Sequence, residues 1–147
     1  MAQRTFSLDD AQMLLPVLES LLRRAMETKK RVEEIEQQFQ KINYRIFLLG
    51  GVEPDIRALA RLRAESDKAV QVFKDTRGEI EATGVQVKDL DVGLLDFPCV
   101  VDKEVILLCW KLGEEKITHW HGIEEGFAGR KPIDERIARA RQGKKSN

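Results

Sequence analysis

Leu48-Leu49-Gly50-Gly51-Val52-Glu53-Pro54 lies between two long runs of helical spacing, and its reading decides the fold. Gly50-Gly51 ends the first helix, because glycine takes the left-handed conformation of a helix C-terminus without a steric penalty. Pro54 opens the second at a first-turn position, where its missing N–H leaves no helical bond unmade. So short a connection between two amphipathic helices sets them antiparallel.

Upstream of the turn, apolar side chains recur at Leu8, Ala11, Leu15, Leu18, Leu22 and Ala25. After Lys29 interrupts the series, they resume at Val32, Ile35, Phe39, Ile42, Ile46 and Leu49. The steps average about 3.5 residues, the repeat of a helix packed along another helix, with charged and amide side chains between. Ser7 and Asp10 form a capping-box pattern with Phe6 and Ala11 as its hydrophobic staple, so the helix starts near Leu8. Pro16 removes one helical hydrogen bond and predicts a bend. Downstream, Ile56, Leu59, Leu62, Ala69, Val70, Phe73 and Ile80 give a thinner stripe that ends at Thr83-Gly84. At about 1.5 Å per residue the two helices span about 63 Å and about 45 Å. The unmatched end is residues 8–20, which include Met13-Leu14-Leu15-Pro16-Val17-Leu18 and need another cover.

That cover comes from the second half. Val85 and Val87 alternate with polar neighbours, Asp102-Lys103-Glu104 reads as a turn, and residues 105–112 read as a strand buried on both faces. Gly113-Glu114 reads as a tight turn and residues 116–121 as the returning strand. So few strands do not persist alone in water, and they are expected on the surplus end of the first helix. The predicted class is α+β. A long antiparallel, coiled-coil-like helical hairpin (residues 7–83) carries a small C-terminal antiparallel β-sheet (residues 85–122) packed on the N-terminal end of its first helix. Residues 1–129 form a single domain. Residues 130–147 form a basic C-terminal tail with seven Lys or Arg against two acids, in which Ile133, Ile137 and Ala140 fit a short helix led by Pro132 and residues 143–147 read as frayed.

The 147 residues carry 25 basic and 25 acidic side chains, so no global charge recruits nucleic acid or an anionic membrane. The basic tail lacks interleaved aromatics and reads as a solvated terminus; nucleic acid is not the expected partner. The longest apolar run, Val105-Ile106-Leu107-Leu108-Cys109-Trp110, is far short of the roughly 20 residues of a membrane span. No secretory signal is visible, and two cysteines are too few for a disulfide framework. A cytoplasmic protein with reduced thiols is expected.

Several short motifs carry a resemblance: Phe6-Ser7-Leu8-Asp9-Asp10-Ala11, Gly93-Leu94-Leu95-Asp96-Phe97-Pro98, Leu108-Cys109-Trp110-Lys111-Leu112-Gly113-Glu114, Trp120-His121 and Gly126-Phe127-Ala128-Gly129-Arg130. Through them, nearly the whole chain resembles the bacterial domain of unknown function 2203 family. The resemblance implies a family without an established activity, and no catalytic role transfers with it.

Two constellations carry chemistry. His119 and His121, two apart on a strand, point to one side and can share a metal ion, zinc or iron, with Asp91 as the oxygen ligand, or Asp89 or Asp96 in its place. The ordinary alternative is partly buried histidines satisfied by carboxylate or backbone partners. A tight turn at Gly113-Glu114 sets Ile106 opposite His121 and Leu108 opposite His119; a register slipped by one residue brings Cys109 to the histidines instead. Separately, Trp110 and Trp120, with Phe97 and Phe127, can line a pocket beside Arg130, whose guanidinium would clamp a carboxylate or phosphate. The alternative there is core aromatics, with Arg130 paired to Asp96 or Glu125. No Gly-x-Ser-x-Gly elbow, phosphate loop or dinucleotide fingerprint occurs, and the chain is not expected to be an enzyme. The leading expectation is an interaction module that forms a homodimer, or engages another protein partner, through the hairpin, with no cofactor and no membrane. The competing one is a metal- or small-anion-binding domain, extending to a hydrolase, around His119, His121 and Arg130.

Overall fold

The computed structural model describes residues 4–50 and 55–142. Helix α1, Leu8–Leu48, begins at the capping pattern: Ser7 Oγ accepts the Asp10 N–H at 3.1 Å, and Phe6 and Ala11 are both fully buried. Its 41 residues pass without interruption through Pro16 and reach about 62 Å. Leu49 caps its C-terminus, donating to Arg45 O, and Gly50 follows in the left-handed region at φ +69°. Pro54, read as the opening of the second helix, lies outside the described residues. Helix α2, Ile56–Ala82, is capped instead by Asp55, whose carboxylate accepts the Ala58 N–H at 3.1 Å. The two helices pack together, with Ile35 and Leu62 buried and Arg31 paired to Glu65 across them at 2.8 Å.

Five strands form one antiparallel meander in sequence order: β1 Gln86–Asp89, β2 Leu94–Val101, β3 Glu104–Lys111, β4 His119–Gly122 and β5 Lys131–Pro132. Asp102 and Lys103, at φ 52° and 68°, make the two-residue turn between β2 and β3 and hold the long register from Leu94↔Lys111 to Val101↔Glu104. One face of the sheet carries Leu95, Phe97, Cys99, Leu108 and Trp110. These form a single core with Leu15, Leu18, Leu22 and Ala25 of α1 and Ile80 of α2. The sheet therefore covers the apolar stripe at the N-terminal end of α1. Two polar links fix it there: Phe6 N donates to Pro98 O at 2.7 Å, and Gln12 Oε1 accepts the Ile117 N–H at 2.8 Å.

The β3–β4 connection corrects the expected register. The returning strand starts at His119, not residue 116, and pairs Leu107 with His121 and Cys109 with His119, where Ile106 and Leu108 were expected. Three contacts hold the intervening segment out of the ladder: Glu114 O accepts Trp110 Nε1, the Glu114 carboxylate accepts Lys111 N, and Ile117 N is drawn to Gln12. A slip of one residue exchanges the faces of a strand, so the histidines leave the Ile106–Leu108 side and join Cys109.

The segment read as a basic tail is folded as far as Gln142. Pro132 does not lead its helix but ends β5; α3, Glu135–Arg139, is capped by Asp134, whose carboxylate accepts the Ile137 N–H at 3.0 Å. Ile137 is fully buried in the core, with Ile133 and Ala140 packed against it. Gln142 brackets the edge of β2, accepting from Val100 N at 2.9 Å and donating to Val100 O at 3.3 Å. Residues 143–147, read as frayed, lie outside the described residues. Among the described residues, no helix is long and apolar enough to cross a membrane.

Candidate functional site

The face of the sheet turned away from the helices carries the candidate site. An outer face of a small antiparallel sheet is ordinarily polar and wet. Here Asp96, Pro98, Leu107, Cys109 and His121 are all buried on it, and Ile123, Glu125, Gly126 and Phe127 of the connection after β4 lie across a cavity from Asp96, Leu107, Cys109 and His121. Strand alternation places Asp96 directly opposite Cys109, and the register of β4 brings His121 to the same face beside them. Asp96, Cys109 and His121 are 1–3% exposed, and their ligand atoms all lie within 4.8 Å of one another. A cavity of about 180 Å³ adjoins them, walled by Leu107, Phe127 and Ile123, with Lys88 and Glu125 also lining it.

The protons in this cluster can be traced. His121 Nδ1 lies 2.8 Å from the Gly122 carbonyl, which only accepts, so Nδ1 carries a hydrogen. Nε2 lies 3.2 Å from Asp96 Oδ1, and the Cys109 thiol also reaches Asp96. Burial pushes the Asp96 carboxyl above the usual carboxylate range, against the opposing pull of His121. Burial, then the neighbouring Asp96 charge, pushes the Cys109 thiol up to about 11. Glu125, at the edge of the cavity, is shifted the other way: Lys131 and the Gly122 N–H, which it accepts at 2.7 Å, hold it below its usual range.

The structure divides the residues singled out in the sequence. His121 belongs to the cluster. His119 stands opposite Cys109, but its Nδ1 lies 2.8 Å from Thr118 Oγ1 and it is not among the three grouped residues. Asp91 is not brought to the histidines: its side chain is 79% exposed in the β1–β2 turn and holds Lys29 at 2.7 Å. Asp96 supplies the carboxylate in its place. The aromatic pocket does not form as drawn, because alternation sends Phe97, Trp110 and Trp120 to the helix side and leaves Phe127 with the outer-face cavity. Arg130 is not a free anion clamp. Its guanidinium binds both oxygens of Glu114 at 3.0 Å and lies 4.6 Å above the Phe127 ring, so neither Asp96 nor Glu125 is its partner. Among the described residues, two buried nitrogens, Trp120 Nε1 and Arg130 Nε, have no hydrogen-bond partner.

The pairing of Asp96 with Cys109 escaped the sequence reading, yet the signal was present. A two-residue turn at Asp102-Lys103 requires that pairing by counting outward along both strands.

A helical hairpin capped by a five-stranded meander, with a buried carboxylate, thiol and imidazole on the outer face, defines an α+β protein with one concentrated polar site. The chain belongs to the domain of unknown function 2203 family, described as "Uncharacterized conserved protein (DUF2203)", whose family model matches residues 4–133. No curated protein and no solved structure matches the chain.

Proposed function

We propose that this protein works by association, its helical hairpin pairing with a second copy of the chain. One observation carries this: at the tip of the hairpin Tyr44, Phe47, Leu48, Leu49 and Ile56 are 58–71% exposed, a cluster of large apolar side chains at one end of the fold. The sheet uses the stripe of α1 only up to Ala25, and the hairpin alone buries Ile35 and Leu62; nearer the tip the described helical residues bury no side chain fully. Contiguous apolar surface at the end of a coiled-coil-like arm is the ordinary mark of an interface, and two such arms make a four-helix arrangement. A cytoplasmic setting is part of this reading, supported by Cys99 and Cys109 both being free and buried. Sedimentation equilibrium on the full chain tests the proposal: twice the chain mass at micromolar concentration is expected, and a monomer at high micromolar concentration rejects it.

A further inference from the structure

We infer that Asp96, Cys109 and His121 hold one divalent transition-metal ion, as carboxylate, thiolate and imidazole ligands with zinc as the best match. The site is independent of the hairpin tip. The three side chains come from adjacent strands β2, β3 and β4, which fixes them on rigid backbone, and their ligand atoms converge within 4.8 Å. The sheet does not need them for its core, which lies on the opposite face.

The spacing of the nitrogen and oxygen donors is that of ligands around a common centre, with the Cys109 sulfur within 4.8 Å of both. Nitrogen and oxygen ligands each about 2.0–2.1 Å from a tetrahedral ion stand about 3.3 Å apart. His121 Nε2 and Asp96 Oδ1 stand 3.2 Å apart, long for a hydrogen bond between such groups but suited to that spacing. The bond from His121 Nδ1 to the Gly122 carbonyl selects the tautomer whose Nε2 lone pair faces the cluster, the support a metal-ligating histidine normally receives from outside the ligand shell.

The charges also balance. A thiolate and a carboxylate cancel a 2+ ion, so the loaded site is neutral in surroundings where an isolated charge is costly. On binding, the thiol proton leaves Cys109, because the thiolate is the ligating form. Mixed sulfur, nitrogen and oxygen donors suit zinc and disfavour magnesium or calcium, which take oxygen shells. Three protein ligands beside a cavity of about 180 Å³ leave a fourth position for water or a small ligand, unlike a closed four-ligand structural site.

The test uses the full chain, stripped with chelator and then titrated with Co²⁺ alone. One equivalent is expected, with an intense thiolate-to-cobalt charge-transfer absorption and a rise in melting temperature. The two cysteines lie on opposite faces of the sheet and give matched probes. Cys109→Ser should abolish the charge-transfer band, Cys99→Ser should keep it, and Asp96→Asn should weaken binding by about tenfold or more. Circular dichroism on each variant separates ligand loss from unfolding. The inference is overturned if folded wild type takes up neither Co²⁺ nor Zn²⁺ stoichiometrically, or if folded Cys109→Ser retains the band.

Discussion

Replacing Phe47 by glutamate separates assembly from folding. Phe47 is 71% exposed, so the monomer should lose almost nothing, within about 0.5 kcal/mol of wild type as for an ordinary surface change. Its cost appears on pairing. Fully burying a phenylalanine contributes about 1.5–3 kcal/mol, and in a two-fold symmetric interface each substituted side chain counts twice. Allowing half-burial at a hairpin tip, the dimer loses about 1.5–3 kcal/mol, which weakens its dissociation constant about 10- to 150-fold. Sedimentation equilibrium over a concentration series reads that constant. Thermal melts at a dilution where wild type is monomeric read the fold without interference from mass action. Unchanged association in the variant would refute the assignment of the tip as interface. A drop of several degrees in the dilute melt would show instead that Phe47 supports the monomer.

Three further outcomes follow from the packing. Leu18→Ala removes a fully buried side chain where α1 meets the sheet and should cost about 2–5 kcal/mol in urea denaturation, against under about 1 kcal/mol for Ile46→Ala near the tip. Gly93 lies at φ +79°, and a Cβ there would stand 2.8 Å from Leu112 Cβ, so Gly93→Ala should cost more than the roughly 1–2 kcal/mol of a left-handed residue alone; Gly50→Ala, with nothing within 4 Å, should cost only that amount. Burial raises the Cys99 thiol from 9.0 to about 11, so in the Cys109→Ser background native Cys99 should alkylate about a hundredfold more slowly at pH 8 than in urea, with the native rate rising as pH approaches 11. Equal native and denatured rates would contradict its burial.

The hairpin was legible because its information is local. Spacing along α1, the Ser7 cap and Gly50 each act within a few residues, and a stripe longer than its partner helix demanded the sheet that covers it. The β3–β4 connection was not legible, because it is held by Gln12, 105 positions away from Ile117 in the chain. That one long-range bond and the two Glu114 contacts shift the register and move both histidines to the other face. The short helix after Arg130 was visible in Ile133, Ile137 and Ala140, but the surface that receives it is assembled from distant segments. At the candidate site, strand alternation points to His121, but local sequence does not favour Asp96 over Asp91. Nothing in local composition distinguishes a turn aspartate from a strand aspartate; the strand pairing set by Asp102-Lys103 does.

The arrangement of α1 and its sheet has a consequence for biosynthesis. The stripe from Leu15 to Ala25 leaves the ribosome early, but its partner Trp110 follows 85 positions after Ala25. At about 5–20 residues per second that greasy strip waits roughly 4–17 s before β3 is complete. During translation that strip is without its sheet cover over this interval, and slow codons ahead of Trp110 would lengthen its exposure.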